Sequence, residues 1–191
     1  MRGNVSTANN GNGNGKDMRK LLDGLYRLSA TIAGLSILGI CLIVSAQILL
    51  NITARLLGPG YSWTIPSYAD FAGFMLSGAT FLALGPTLRA GGHIRVTLLT
   101  GRLPARVALW LEVAVSAAAA ILVAYILRYV VQLIGESWRY NDLSPGIIPI
   151  PLWIPQSVMA LGLVIFLIAL VDLVISDIRA GRPTLRTPEE V

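Results

Sequence analysis

The sequence contains few of the groups that catalysis or metal binding requires. Its 191 residues include one cysteine, Cys41, and one histidine, His93. A single cysteine excludes an intrachain disulfide and any multi-cysteine metal site, so we expect Cys41 to pack as a small apolar residue. A single histidine excludes histidine-rich metal or haem ligation within one chain, because even catalytic zinc sites use several protein ligands. We therefore predict no cofactor and no metal site, and we expect His93 to be a loop residue.

Motifs of common enzymes and of nucleic-acid binding are also missing. The chain has no glycine-rich phosphate loop with lysine and no Gly-x-Ser-x-Gly elbow. Only 13% of the residues are charged, with 15 Lys and Arg against 10 Asp and Glu. The orientation of a membrane protein explains this basic excess, so binding to nucleic acid is not needed to account for it. No internal repeat is visible, which argues against two inverted transporter halves. Neither an enzyme nor a nucleic-acid partner is predicted.

Long apolar runs dominate what is present. Apolar residues make up 54% of the chain, a share that a water-soluble domain of this size could not keep off its surface. The first uncharged run, 28–54, would extend about 40 Å as a helix, more than the roughly 30 Å of a hydrocarbon core. Further spans are predicted at about 71–88, 107–134 and 153–171, the last after a helix-breaking cluster of prolines, Pro145, Pro149, Pro151 and Pro155. The sequence thus predicts an all-α integral membrane protein with four transmembrane helices.

Two ionisable residues fall within the third predicted span. Glu112 and Arg128 lie near its two ends, where long side chains can extend toward the headgroups, so we expect both to be interface anchors. They are too far apart along one helix to pair with each other. If either lies deeper than this, its partner must come from elsewhere.

Lysine and arginine residues indicate the orientation. They precede the first span, separate the second from the third and follow the fourth, whereas only Arg55, Arg128 and Arg139 fall on the other side. The positive-inside rule therefore places both termini in the cytoplasm. Aromatic rings cluster at the predicted outer boundary, with one tryptophan at the inner end of the third span, as headgroup-level anchors do. The expected interface anchors are Arg89, Trp63, Trp110 and Trp138.

The chain divides into a membrane domain and two tails. Residues 1–22, rich in Asn and Gly, predict a disordered cytoplasmic tail, 23–178 the four-helix membrane domain, and 179–191 a second cytoplasmic tail. A cleaved signal peptide is the competing interpretation of the N-terminus. The first apolar run is much longer than a signal h-region, however, and no Ala-x-Ala-like site ends it.

The segment between the second and third spans mixes apolar and basic residues, with Ile94, Val96 and Leu98 alternating with Arg95 and Thr97. This pattern predicts a short in-plane segment that docks a partner or binds anionic membrane lipids. The alternative is an ordinary positive-inside loop.

Polar groups that could line a permeation path are scarce. The spans hold small polar residues that also join helices by hydrogen bonds, and we expect that role for them. Small residues permit close helix approach, either within the chain or against another protein, namely Gly73, Ser77, Gly78 and the alanines at 117–120. The sequence therefore offers little that would conduct a solute.

Two loop motifs carry a family resemblance. The segment Leu-Arg-Ala-Gly-Gly-His-Ile-Arg-Val (88–96) follows the second span, and Ser144-Pro145 with Ile-Pro-Leu-Trp-Ile-Pro-Gln (150–156) leads into the fourth, with Gly162 beyond. Over about 25–176 the chain resembles the small membrane subunit, the DctQ type, of a tripartite ATP-independent periplasmic (TRAP) transporter. Two positions depart from the family pattern. Family members often have an acidic residue where this chain has Thr97. They also often have a Trp with a nearby Glu before the second span, where this chain has Trp63 and the later Asp70.

The resemblance implies a complex in the bacterial inner membrane. A periplasmic substrate-binding protein would deliver a solute, commonly an organic acid anion, to a large membrane subunit of the DctM type that couples import to a sodium gradient. The small subunit would brace the large one. Candidate partner contacts are His93 and Arg95 on the inner loop, and Asp70, Trp153 and Gln156 toward the outside.

Two other classes remain open at this point. A self-sufficient homo-oligomeric transporter or channel would move solute when purified alone, but it lacks a polar lining. A membrane-anchored signalling or assembly protein would bind a soluble partner through its tails, which are poor in apolar residues.

Overall fold

The computed structural model describes residues 11–61, 63–90 and 104–181, with helical side chains from Met18 onward. Four α-helices account for most of this part of the chain: α1 (Gly11–Leu57), α2 (Tyr68–Arg89), α3 (Ala105–Tyr140) and α4 (Trp153–Ala180). A short 3-10 helix, Pro59–Tyr61, follows α1. All four helices are long and apolar enough to cross a membrane, which confirms the predicted all-α, four-span fold. The predicted in-plane segment, with His93 and Arg95, lies outside the described residues.

Several helices are longer than the predicted spans. Helix α3 has 36 residues and continues to Tyr140, because nothing interrupts it before Asn141. Asn141 adopts a left-handed conformation (φ 50°) that ends the helix. Helix α1 has 47 residues and includes residues 11–22, where the composition predicts a tail, and the domain boundary at 23 stays a prediction. The longer α3 places Arg128 well inside the helix instead of near its end.

The helices form an open row instead of a closed bundle. Helix α1 packs on α2, α2 on α4, and α4 on α3, so α2 and α4 occupy the centre and α1 and α3 the edges. The buried core follows this order, since most of its residues belong to the central pair: Leu82, Leu88, Leu163, Ile165, Ala169, Leu170 and Leu173. Large apolar side chains along both edge helices remain exposed. The row therefore has wide apolar faces.

The two central helices are parallel and very close together. Gly78 faces Val158, Gly85 faces Ile165, and Arg89 pairs with Asp172, so contacting positions advance in the same direction along both helices. A Cβ atom at Gly162 would lie 2.5 Å from the carbonyl carbon of Phe81. Only glycine at this position permits such an approach of the two backbones.

Some of the small residues that were predicted to permit close helix approach lie in contacts within the chain. Gly78 lies in the α2–α4 contact, and Ala119 and Ala120 pack against the core. A Cβ at Gly73, in contrast, would meet nothing within 4 Å. Its side of α2 is exposed, so Gly73 makes no such contact within this part of the chain, and a contact with another protein stays a prediction.

A hydrogen bond from α1 stabilises the proline in α2. Pro86 has no N–H to donate to the carbonyl of Leu82, four residues earlier. The hydroxyl of Ser29 donates to that carbonyl oxygen at 2.6 Å, and both residues are buried. Neighbouring hydroxyl groups make proline tolerable in membrane helices in this way.

Candidate functional site

At one end of the row, a cluster of charged side chains joins three helices. We call it the Arg89 cluster, and it comprises Asp23 and Tyr26 of α1, Arg89 of α2 and Asp172 of α4. The Arg89 guanidinium donates to Asp172 Oδ2 at 2.7 Å and lies 3.8 Å from Asp23 Oδ1. It also lies 5.6 Å from the centre of the Tyr26 ring, within cation–π range. One arginine thereby connects α1, α2 and α4.

Arg89 makes contacts with other helices that the sequence did not predict. Arg89 was expected to be an interface anchor, and its side chain is only 19% exposed. Its main partner, Asp172, directly follows the predicted fourth span, so both charges were expected at the same membrane boundary. Their shared position at this boundary could have been used to predict the Arg89–Asp172 ion pair from the sequence.

At the opposite end, the loop between α3 and α4 docks on the start of α2. We call this the Ser67 cluster, comprising Ser67, Asp70, Gly146 and Ile148. The Ile148 N–H donates to Ser67 Oγ at 2.8 Å. Gly146 lies against the Asp70 carboxylate so tightly that a Cβ atom there would overlap Asp70 Oδ2 and lie 2.6 Å from Ser67 Oγ. Ser67 itself has a left-handed backbone (φ 56°), which turns the chain into α2.

Asp70 was a predicted partner contact, and the structure places it in the Ser67 cluster. Its Oδ2 atom is buried and accepts no hydrogen bond from the residues that the structure describes. The same holds for Oε1 of Gln156, another predicted contact, one turn into α4. No hydrogen bond joins Asp70 to Gln156 in this part of the chain.

Hydrogen bonds within the α3–α4 loop, mostly between backbone groups, stabilise its conformation. Residues 143 and 151 form an antiparallel bridge, Ser144 N–H donates to the Ile150 carbonyl at 2.9 Å, and Leu152 N–H donates to the Asp142 carbonyl at 2.9 Å. The Ser144 hydroxyl accepts from Ile150 N–H at 3.0 Å. The proline-rich segment is therefore an ordered surface beside α2.

A glutamine fixes the loop between α1 and α2. Gln47 is buried in α1, and its Oε1 accepts from the Ile65 N–H at 2.9 Å. Its amide group donates to Asn51 Oδ1 at 3.0 Å. Gln47 therefore joins α1 to the following loop and to its own next turn, and neither bond joins two helices as the sequence predicted for polar groups in the spans.

The predicted tryptophans differ in their surroundings. Trp153, a predicted partner contact, meets the expected anchor Trp138 edge to face, with ring centres 4.9 Å apart. Trp63 and Trp110 are 71% and 67% exposed. This exposure suits rings that lie at headgroup depth, and their anchoring role stays a prediction.

The geometry supports a structural role in a membrane assembly. Polar side chains tie the row together at both ends, and several hydroxyls inside the spans bond to their own helices, such as Thr80 to the Leu76 carbonyl and Ser157 to the Trp153 carbonyl. These hydroxyl groups already donate to backbone carbonyls, so they are poor binding groups for a solute. The open faces leave room for a larger partner.

Comparison with known proteins identifies the family. The family model described as "Tripartite ATP-independent periplasmic transporters, DctQ component" matches residues 40–180. Searches of curated proteins and of solved structures gave no significant match. The family match confirms the resemblance seen in the two loop motifs, and it identifies a transporter subunit, not an enzyme. The chain therefore belongs to the DctQ family, the small membrane component of TRAP transporters.

Proposed function

We propose that this subunit forms a rigid support for the large DctM-type membrane subunit. The large subunit would import a solute, an organic acid anion, which a periplasmic binding protein delivers and a sodium gradient drives. Family membership supports the existence of such partners. The solute and ion sites would then lie on the other membrane chain.

The observation that carries this proposal is the open row with both ends fixed. The Arg89 cluster joins α1, α2 and α4 at one end, and the Ser67 cluster joins α2 to the α3–α4 loop at the other. Between them, the close α2–α4 contact leaves little room for sliding. A layer of this kind keeps its shape while a neighbouring chain moves.

The proposed orientation follows from charge. The Arg89 end would face the cytoplasm and the Ser67 end the periplasm of a bacterial inner membrane, because basic residues concentrate at the Arg89 end. The Ser67 cluster, with Asp70 and the ordered α3–α4 loop, would then lie on the side where a binding protein docks. Gln156 and Trp153 lie near the same end.

Two measurements test the proposal. The tagged chain, purified in mild detergent from its native membranes, should bring with it an equal amount of a large multi-span protein. Deletion of the subunit should abolish solute import while the large subunit is still present in the membrane. Recovery of copies of this chain alone, with transport in liposomes, would favour the homo-oligomeric alternative.

A further inference from the structure

One face of α3 carries a line of polar and aromatic side chains. Tyr125, Arg128, Tyr129, Gln132 and Glu136 are spaced by three or four residues, so they share one side of the helix. All five are exposed. We call this set the α3 stripe.

The α3 stripe points away from the rest of the row. Val123, Leu127 and Val130 form the side of α3 that packs against the core. With about 100° of rotation per residue, these three lie roughly opposite the stripe. The stripe is therefore an outer surface of the membrane domain.

Contacts along the helices give the depth of Arg128. Trp138 touches Trp153 where α4 begins, and Arg128 lies about 15 Å further along α3. Nearly the same distance, about 14 Å, along the antiparallel α4 leads to Gly162, which packs against Phe81 within α2. Half of a hydrocarbon core is also about 15 Å. With the Trp138–Trp153 contact at the hydrocarbon boundary, as predicted for the anchor Trp138, Arg128 lies near the middle of the membrane.

An arginine at this depth needs a partner. A guanidinium facing hydrocarbon is strongly unfavourable, and snorkelling covers only part of the distance to the headgroups. Arg128 forms no ion pair or hydrogen bond with any residue in the described ranges. The nearby hydroxyls of Tyr125 and Tyr129 bond to each other at 3.0 Å. A group outside this part of the chain must therefore pair with the Arg128 guanidinium.

We propose that the α3 stripe is the surface on which a transmembrane helix of the large membrane subunit packs, with a carboxylate opposite Arg128. The inference rests on the proposed function. Charge complementarity selects the carboxylate, because arginine binds that group through two parallel hydrogen bonds in a dry environment. The two tyrosines, whose rings contact each other edge to face, add flat contact area and hydroxyl groups to the same face of the helix.

Other occupants fit the stripe less well. A second copy related by a two-fold axis along the membrane normal would place Arg128 beside Arg128 at the same depth, and Glu136 lies about 12 Å further along the helix. A lipid phosphate would lie at headgroup depth, about 15 Å away. A partner helix with an acidic residue near its middle meets the requirement directly.

Site-specific photo-crosslinking in the native complex tests the interface. A photoreactive phenylalanine analogue replaces Tyr129 in the stripe, or Val131 as the matched control, which is 55% exposed on another side of α3. We expect Tyr129 to give a product with the large subunit, mapping to a transmembrane segment with an Asp or Glu. The yield from Val131 should be at least several-fold lower.

Charge variants provide a second readout. Arg128→Leu makes α3 more apolar, so membrane insertion should persist, while recovery of the large subunit with the tagged chain should fall about tenfold. Arg128→Lys keeps the charge and should retain much of the recovery. Two results would contradict the proposal that the α3 stripe contacts the large subunit, while leaving the proposed function intact. One is unchanged recovery of the large subunit with Arg128→Leu. The other is crosslinking of Tyr129 only to lipid or to a second copy of this chain. Failure of the wild-type chain to recover any large subunit would overturn both.

Discussion

The Ser29 hydroxyl donates a hydrogen bond to the Leu82 carbonyl oxygen at 2.6 Å, across the contact between α1 and α2. Pro86 leaves this carbonyl without its usual helical donor. The proline and the serine, 57 positions apart along the chain, are therefore linked energetically. The serine hydroxyl supplies the donor that the proline lacks, which gives a direct test of the α1–α2 packing.

Ser29→Ala should lower the stability of the subunit by about 1–3 kcal/mol, because it leaves a buried carbonyl without a donor. Thermal unfolding in detergent, followed by tryptophan fluorescence, measures the effect. Ser36→Ala is the matched control, since Ser36 bonds only within its own helix turn. In a Pro86→Ala background the cost of Ser29→Ala should shrink, and full additivity of the two changes would contradict the linkage.

The two aspartates of the Arg89 cluster should differ in importance. Asp172→Asn should destabilise the subunit by about 1–3 kcal/mol, because a short charge-assisted hydrogen bond is lost. Asp23→Asn should cost less than about 1 kcal/mol, since Asp23 is 53% exposed and 3.8 Å from Arg89. Thermal unfolding at low and high salt compares them. Equal effects would show that Asp172 is not the main partner.

Gly162→Ala should destabilise the α2–α4 contact by about 1–3 kcal/mol, because the added methyl group meets the Phe81 backbone, which cannot move aside like a side chain. Gly73→Ala is the control within the central pair. It adds a methyl group in open space and should be neutral or stabilising by up to about 1 kcal/mol through helix propensity. A stable Gly162→Ala variant that still binds the large subunit would argue against the close contact.

Gly146→Ala should displace the α3–α4 loop, because the new methyl group occupies the position of the Asp70 carboxylate. We expect a lower unfolding temperature and faster proteolysis of the loop. Gly60→Ala, in the other loop at this end, has nothing within 4 Å and serves as the control. Asp70→Ala should reduce the penalty of Gly146→Ala. If the two changes are simply additive, Asp70 does not face Gly146.

Hydropathy predicted the four spans because long apolar runs have few alternatives to crossing a bilayer. It could not predict which spans pack together, since lipid and helix surfaces are equally apolar and contacts depend on local shape. Gly73 and Gly162 look alike in sequence, yet only Gly162 meets a neighbour. Arg128 was expected near a boundary because the predicted span ended at 134, whereas α3 continues through six more residues. The role of Asp172 likewise depended on knowing that α2 and α4 are adjacent.

The order of helices in the row has a consequence for biosynthesis. The central pair consists of the second and fourth spans, so when α3 leaves the ribosome the α4-facing side of α2 still lacks its neighbour. Helix α4, synthesised after the other three, must enter between α2 and α3 to join them. A nascent chain stopped before α4 would consist of an α1–α2 hairpin and a separate α3, with Arg89 lacking the carboxylate of Asp172. The surfaces of α2 and α3 that contact α4 therefore stay exposed to lipid until α4 joins them.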